Sequence, residues 1–148
     1  MILGFLKKLF RSKAEKDMAE LRPIVDLINQ EYVKLRTLSD DELRNKTSEF
    51  KQFIQQKTIN QRNKVQELTV LSQNEKDIAK KEELYNSLDA AKKELNKAIE
   101  EVLKELLPKA FAVVKETARR LTENQQLVVT ATEWDKKIAQ KKSNVVIE

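Results

Sequence analysis

A chain of 148 residues with one Gly, two Pro, no Cys and no His, and with 36% charged and 40% hydrophobic residues, has the composition of long packed helices rather than of a closed globule. The missing Cys and His exclude a disulfide framework, thiolate or imidazole metal sites, nucleophile–His pairs and a histidine pH switch. Of the net charge of +5, +4 sits at one end: residues 1–16 hold Lys7, Lys8, Arg11, Lys13 and Lys16 against Glu15 alone, so the basic character belongs to the N-terminus and not to a broad surface.

Residues 2–11 read as an amphipathic helix. Ile2, Leu3, Phe5, Leu6, Leu9 and Phe10 recur at helical spacing, with Lys7, Lys8 and Arg11 opposite. Such a segment suits an anionic membrane surface. Its candidate membrane-binding residues are Phe5, Leu6, Lys7, Lys8, Leu9, Phe10 and Arg11. Packing against the protein, or pairing with another copy, is the competing use of the same face. No stretch approaches the roughly 20 apolar residues that cross a bilayer. Lysines inside the apolar pattern, with no small-residue cleavage site after it, argue against a signal peptide.

Ser12 is a candidate cap, with Glu15 three residues on. A helical stripe of Leu21, Ile24, Val25, Ile28, Tyr32 and Leu35 follows. Pro23 predicts a break or a fresh start near Leu21–Arg22. Ser39 to Glu42 reads as a capping box, with Asp40 and Asp41 adding negative charge at the positive end of a helix. Leu43, Phe50, Phe53 and Ile54 carry that helix forward.

Residues 55–101 contain no Gly or Pro and are rich in Gln, Asn, Lys and Glu. Leu84, Leu88, Ala91, Leu95, Ala98 and Val102 alternate steps of four and three, which is a heptad seam. Ile59, Val65, Leu68 and Leu71 form a weaker stripe. Ser72 to Glu75 repeats the capping-box pattern, so the segment is predicted to fold as an antiparallel helical hairpin turning there. One unbroken helix is the alternative. Leu106 to Phe111 then starts another helix with Pro108 in its first turn. Leu127 to Thr132 and Asn144 to Glu148 are β-branched and read as short strands. The second is cut by the chain end, which suggests a missing remainder.

A phosphate-cradling loop needs more glycines than Gly4 alone. The remaining candidates for chemistry are carboxylates. Asp40, Asp41 and Glu42 are better explained by helix N-terminal charge than by a metal. Glu82, Glu83, Glu100 and Glu101 read as solvated helix faces. Trp134 is a candidate partner anchor, although a lone Trp more often packs in a core. The heptad stretch more readily pairs with its own hairpin mate than with a foreign helix.

Four segments carry a family resemblance. They are Phe5-Leu6-Lys7-Lys8-Leu9-Phe10, Leu21 to Asn29, Leu38 to Phe50, and Leu106-Leu107-Pro108-Lys109-Ala110-Phe111 through Arg120. In this order they resemble the opening of the SecA family. The likeness covers about residues 4–54 and 103–121. Family members usually join the Phe50 helix to the segment beginning at Leu106 by a short loop, whereas residues 55–101 intervene here. The family's adenine-contacting segment and its Walker A loop are absent, so no ATP-binding residue is carried over.

The resemblance implies a mainly α piece of a larger α/β motor domain. Residues 1–16 would be the membrane-binding helix, and 17–54 and 102–121 helices of the first motor domain. Residues 55–101 would be an inserted hairpin, and 122–148 a truncated insertion with short strands. The parent would be an ATPase using ATP and Mg²⁺ to drive preproteins through the Sec channel, cytoplasmic and peripheral on the inner face of the bacterial cell membrane. This chain alone would be no enzyme and hold no cofactor; its partners would be an anionic membrane and, through the parent, the channel and preprotein, with a homodimer left open. The alternative is a stand-alone coiled-coil interaction protein. A nucleic-acid binder draws on the pI of 9.3, but the basic residues are confined to one segment and no recognition motif is present.

Overall fold

The computed structural model describes residues 13–147. The predicted helix over residues 2–11, its seven membrane-binding candidates and the Ser12 cap lie outside them. The described residues form five helices: α1 (Lys13–Leu35), α2 (Asp40–Lys57), α3 (Ile59–Asn74), α4 (Ile78–Glu123) and α5 (Glu133–Lys141). The mainly α class holds.

Neither proline marks a fresh helix start as expected. Pro23 lies inside α1 and Pro108 inside α4. Each removes one N–H and frees a carbonyl four residues earlier. Those carbonyls belong to Ala19 and Lys104, both exposed, so water can replace the lost donor. The apolar stripes on either side then keep the helices continuous. At 46 residues, α4 is about 69 Å long at 1.5 Å per residue, and α1, α2 and α3 all pack along it.

The helices α2 and α3 run antiparallel to α4 in one register. Asp40 meets Arg120, Phe53 lies under Lys109, and Gln61 and Leu68 share a groove with Glu94 and Ser87. Only Thr58 separates α2 from α3. Its backbone departs from the helix at φ −110°, ψ 10°. Its Oγ1 donates to the Ile54 carbonyl (2.7 Å) and accepts from Arg62 Nε (2.8 Å). A hydroxyl that bonds back to the preceding turn bends a helix. Thr58 is fully buried, so the bend faces α4.

The hairpin turn falls at residues 75–77, just past the predicted place. Asp77, not Ser72, caps α4 by accepting from the Lys80 N–H (3.0 Å). The Glu75 carboxylate accepts from the N–H groups of Lys76 and Asp77 (2.8 and 2.9 Å). Ser72 is instead buried on α3.

The α4 seam is as predicted: Leu88, Ala91 and Val102 are buried and Leu84, Leu95 and Ala98 half-buried. The α3 side needs correction. Val65 and Leu68 face inward, but Ile59 and Leu71 are exposed. The inward register is Thr58, Gln61, Val65, Leu68 and Ser72, again in steps of three and four. This seam tolerates hydroxyls because they bond their own helix: Ser72 Oγ donates to the Thr69 carbonyl (3.0 Å). Among the described residues Gln61 Oε1 is buried without a hydrogen-bond partner. Gln61→Leu is therefore expected to stabilise the chain by about 1 kcal/mol, read as a higher urea midpoint at unchanged m-value. A loss of stability would show that the amide is satisfied in solution.

A second cluster joins α1, α2 and α4. Leu35, Leu43 and Ala112 are buried, with Ile28, Tyr32, Leu38 and Val113 packed on them. Lys115 Nζ donates to Asn29 Oδ1 (2.7 Å) and lies 4.5 Å from the Tyr32 ring centroid, pinning α1 to α4.

The two predicted strands are absent among the described residues. Residues 126–132 are irregular, with no ladder partner, and 145–147 likewise. β-propensity reflects what a segment packs against more than its backbone. Here the Val128 and Thr130 N–H groups bond side chains of α2 instead of another strand. The charged stretch after Thr132 is the helix α5, started by a Thr132–Asp135 capping box.

Candidate functional site

The last turns of α4, the first turn of α2 and residues 127–135 meet in one polar junction. It begins with the spacing Glu116, Arg119, Arg120 and Glu123, which places side chains three and four apart on neighbouring faces of α4. Glu116 is fully buried and Arg120 nearly so. Arg119 grips Glu116 with two bonds, Nε to Oε2 (2.9 Å) and Nη2 to Oε1 (2.7 Å). Arg119 Nη1 also donates to Glu123 Oε2 (2.6 Å). Arg120 Nε donates to Glu116 Oε1 (2.8 Å).

The rest of the Arg120 guanidinium leaves its own helix. Nη1 donates to Asp40 Oδ1 (2.6 Å), and Nη2 to the carbonyls of Leu35 (3.3 Å) and Leu38 (2.7 Å). These carbonyls close α1 and its exit turn, where a helix has acceptors without internal donors. A cation at that end also suits the helix dipole. One side chain thus ties α4 to both α1 and α2.

The capping box at Ser39 forms as predicted. Ser39 N donates to Glu42 Oε2 (2.7 Å), and Glu42 N donates to Ser39 Oγ (3.2 Å). Asp40 and Asp41 add a task that short-range pattern could not show. Asp40 Oδ2 accepts from the Val128 N–H (2.9 Å). Asp41 accepts from the Thr130 N–H (2.9 and 3.0 Å) and hydroxyl (2.5 Å). Arg44 donates to the Thr130 carbonyl (3.0 Å) and to Asp135 Oδ2 (2.9 Å). Leu127 and Val129 line the small cleft beneath, beside Leu43 and Thr117.

Glu116, Asp40, Asp41 and Asp135 are each held toward the charged form. The Arg119 hydrogen bonds, opposed by burial and aided by Arg120, bring Glu116 to about 2. Arg120 and then the Val128 N–H lower Asp40; the Thr130 hydroxyl and N–H lower Asp41. Arg44 and then Thr132 lower Asp135. Carboxylates so saturated with donors are not poised to shuttle protons near neutral pH. Among the described residues no group of three or more carboxylates is placed to hold a metal ion. What this arrangement does is clasp segments together.

The pH dependence follows. Glu116 has a folded value of about 2 against an ordinary 4.5. Its contribution is fully present above about 4.5 and is lost as pH falls toward 2, because the unfolded chain then binds more protons. Thermal melts from pH 7 to pH 2 should show the midpoint falling across that window. Glu116→Gln should lower the midpoint at pH 7 and flatten its slope below pH 4.5. An unchanged slope would remove Glu116 as the source.

A second concavity lies where α1, α2 and α4 meet. It is a cleft of about 320 Å³ floored by Leu35, Leu38, Phe50, Phe53, Leu106 and Val113. Four of its rim charges are paired along their own helices, Lys34 to Glu31 and Lys46 to Glu49, both at 2.7 Å, while Lys109 lies over the Phe53 ring. No polar groups converge within it as a small-molecule site requires.

Trp134 is 69% exposed, so the core placement expected of a lone Trp is not what occurs. Glu82, Glu83, Glu100 and Glu101 are exposed as predicted. The clasp itself went unseen in the sequence. The one local signal was Thr132 with Asp135 three residues on, a capping pattern that marks α5.

The family model for the SecA DEAD-like domain matches residues 6–132. The chain is similar to "Protein translocase subunit SecA" of Amoebophilus asiaticus, 41% identical over 155 residues covering 99% of this chain and 13% of that protein. It is likewise 41% identical to the protein of that name from Phocaeicola vulgatus, over 135 residues covering 91% and 12%. The match to the one from Christiangramia forsetii is 41% over 143 residues, covering 97% and 13%. The chain therefore spans 12–13% of the length of these curated relatives. No solved structure matches the chain.

Proposed function

The chain belongs to the SecA family, and we propose that it works as the N-terminal part of an ATP-dependent preprotein translocase motor. The observation that carries this reading is the family match over residues 6–132, together with about 40% identity across nearly the whole chain to proteins named for translocation. Within such a motor this chain supplies helical scaffold and membrane or channel association. ATP and Mg²⁺ act in the parent, at motifs this sequence lacks. The domain roles follow the same division: residues 1–16 for the membrane, 17–54 and 102–121 as motor-domain helices, 55–101 as an inserted hairpin, 122–148 as a further insertion.

The membrane role rests on sequence. Lys7, Lys8 and Arg11 at roughly 1 kcal/mol each amount to about 3 kcal/mol of attraction to an anionic surface. Phe5, Leu6, Leu9 and Phe10 add apolar contact, while ordering the segment opposes it. Binding is therefore weak and salt-sensitive, as suits a motor that cycles on and off a membrane. No described helix is long and apolar enough to cross one.

Translocation into inverted membrane vesicles stripped of their own motor tests both parts. The whole subunit carrying these residues is expected to drive ATP-dependent uptake of a preprotein. The form lacking Met1–Arg11 is expected to lose most vesicle binding and uptake. Equal binding by both forms, or no preference for anionic over neutral lipid in co-sedimentation, would remove the membrane role alone. Failure of the whole subunit to move any preprotein would remove the motor reading.

A further inference from the structure

The clasp at the start of α2 holds a segment that has little else to hold it. No residue from Leu121 to Ile147 is buried, and α5 buries none of its side chains. What attaches this segment is the alternating set of main-chain bonds from Val128 and Thr130 to Asp40 and Asp41, and Arg44 on Thr130 and Asp135. Elements with few buried apolar contacts and exposed hydrogen bonds open locally, ahead of the rest of a fold.

One of the two latching carboxylates is shared. Asp40 gives Oδ2 to Val128 and Oδ1 to Arg120, and the same guanidinium caps Leu35 and Leu38 at the end of α1. Among the described residues the Asp41 side chain has no such second partner: its hydrogen bonds go to Thr130. The latch therefore has a part wired to the α1–α2 elbow (residues 36–39) and a part that is not.

We propose that residues 127–141 form a releasable strap, latched by Asp40 and Asp41, whose release is transmitted to the α1–α2 elbow through Arg120. When Val128 leaves, Asp40 loses the neutral donor that orients its carboxylate. Arg120, held between Asp40 and the two carbonyls, then repositions, and the elbow loosens. Strap docking and elbow order are thus two readings of one equilibrium.

Native-state hydrogen exchange on the whole chain tests this. In the unaltered protein the Val128 and Thr130 amides should be protected and those of Leu127 and Val129 fast, with Val128 exchanging well before the core Ala112 amide. Thr130→Pro removes the N–H and hydroxyl that Asp41 holds, and lies outside every helix. It should speed Val128 and the α5 amide of Lys136 by about tenfold or more. The elbow amide of Leu38 and that of Leu43, which donates to the Ser39 carbonyl, should speed by about threefold or more, while Val65 and Leu88 in the hairpin stay unchanged. Trp134, the single tryptophan, sits on the strap and reports release by fluorescence. Val128 exchanging only at the Ala112 rate would overturn a releasable strap, and so would a variant that leaves Val128 unchanged. A freed strap with Leu38 and Leu43 unaltered would overturn the coupling. An equal rise at Val65 and Leu88 would show general destabilisation and overturn it too.

Discussion

Arg120→Ala is expected to lower stability by about 3–5 kcal/mol, the cost of removing one partner from a buried ion pair. The loss is large because the side chain satisfies four acceptors at once: Glu116, Asp40 and the carbonyls of Leu35 and Leu38. Glu116 keeps Arg119, so the buried carboxylate is not left wholly bare, and this holds the effect within that range. The α1 carbonyls are left with no substitute donor and must find water. At about 2–4 °C per kcal/mol for a chain of this size, the melting midpoint should fall by on the order of 10 °C. Arg120→Lys should recover little, since an ammonium cannot span partners on three elements as a planar fork does. Chemical denaturation and calorimetry both read this. A cost below about 1 kcal/mol would mean the junction behaves as an exposed pair, and the clasp would lose its place as the centre of the fold.

Leu95→Pro should cost about 3 kcal/mol or more. Leu95 is a half-buried seam residue deep inside α4. Proline there removes the bond to the Ala91 carbonyl and drives its ring against it, on the face that meets α3. At Pro23 and Pro108 the freed carbonyls belong to exposed residues, whereas here the freed acceptor belongs to Ala91, which is buried. The damage is expected to stay in residues 59–100. The cluster of Leu35, Leu43 and Ala112 lies further along α4 and packs on other helices. Exchange or limited proteolysis should show α3 and the first half of α4 opening while the helices around Phe50 and Phe111 keep their protection. Concerted loss of both regions would show that the shared register of α2, α3 and α4 makes one cooperative unit.

The errors made from sequence share a cause. Ile59 and Leu71 were sorted inward because they are apolar, yet the inward register of α3 runs through Thr58, Gln61 and Ser72. A polar residue can occupy a seam when its own helix accepts its proton, as at Ser72, and hydrophobicity alone does not record that. Pro23 suggests a break or fresh helix start and Pro108 a first helical turn, because proline suits that position. In helices of 23 and 46 residues that pack on each other, one exposed carbonyl weighs little. Leu127 to Thr132 was read as a strand from its β-branched run. The segment is irregular, and its donors meet carboxylates 88 and 89 residues away in the chain.

What the sequence determined by itself was whatever closes within a few residues or repeats at a fixed period. The Ser39–Glu42 capping box needs four consecutive residues, and the seam from Leu84 to Val102 needs only its steps of three and four. The absence of Gly-rich loops, Cys and His is a matter of counting, and the family likeness is a matter of order along the chain. Tertiary structure alone decided how far α4 runs, which face of α3 turns inward, and that Asp40, Arg120 and Val128 meet. The α3 face depends on residues of α4 far along the chain, and the meeting of Asp40, Arg120 and Val128 on contacts between residues 80 and 88 positions apart. Such contacts form only once a common helix has brought the segments side by side, and no local propensity carries that information.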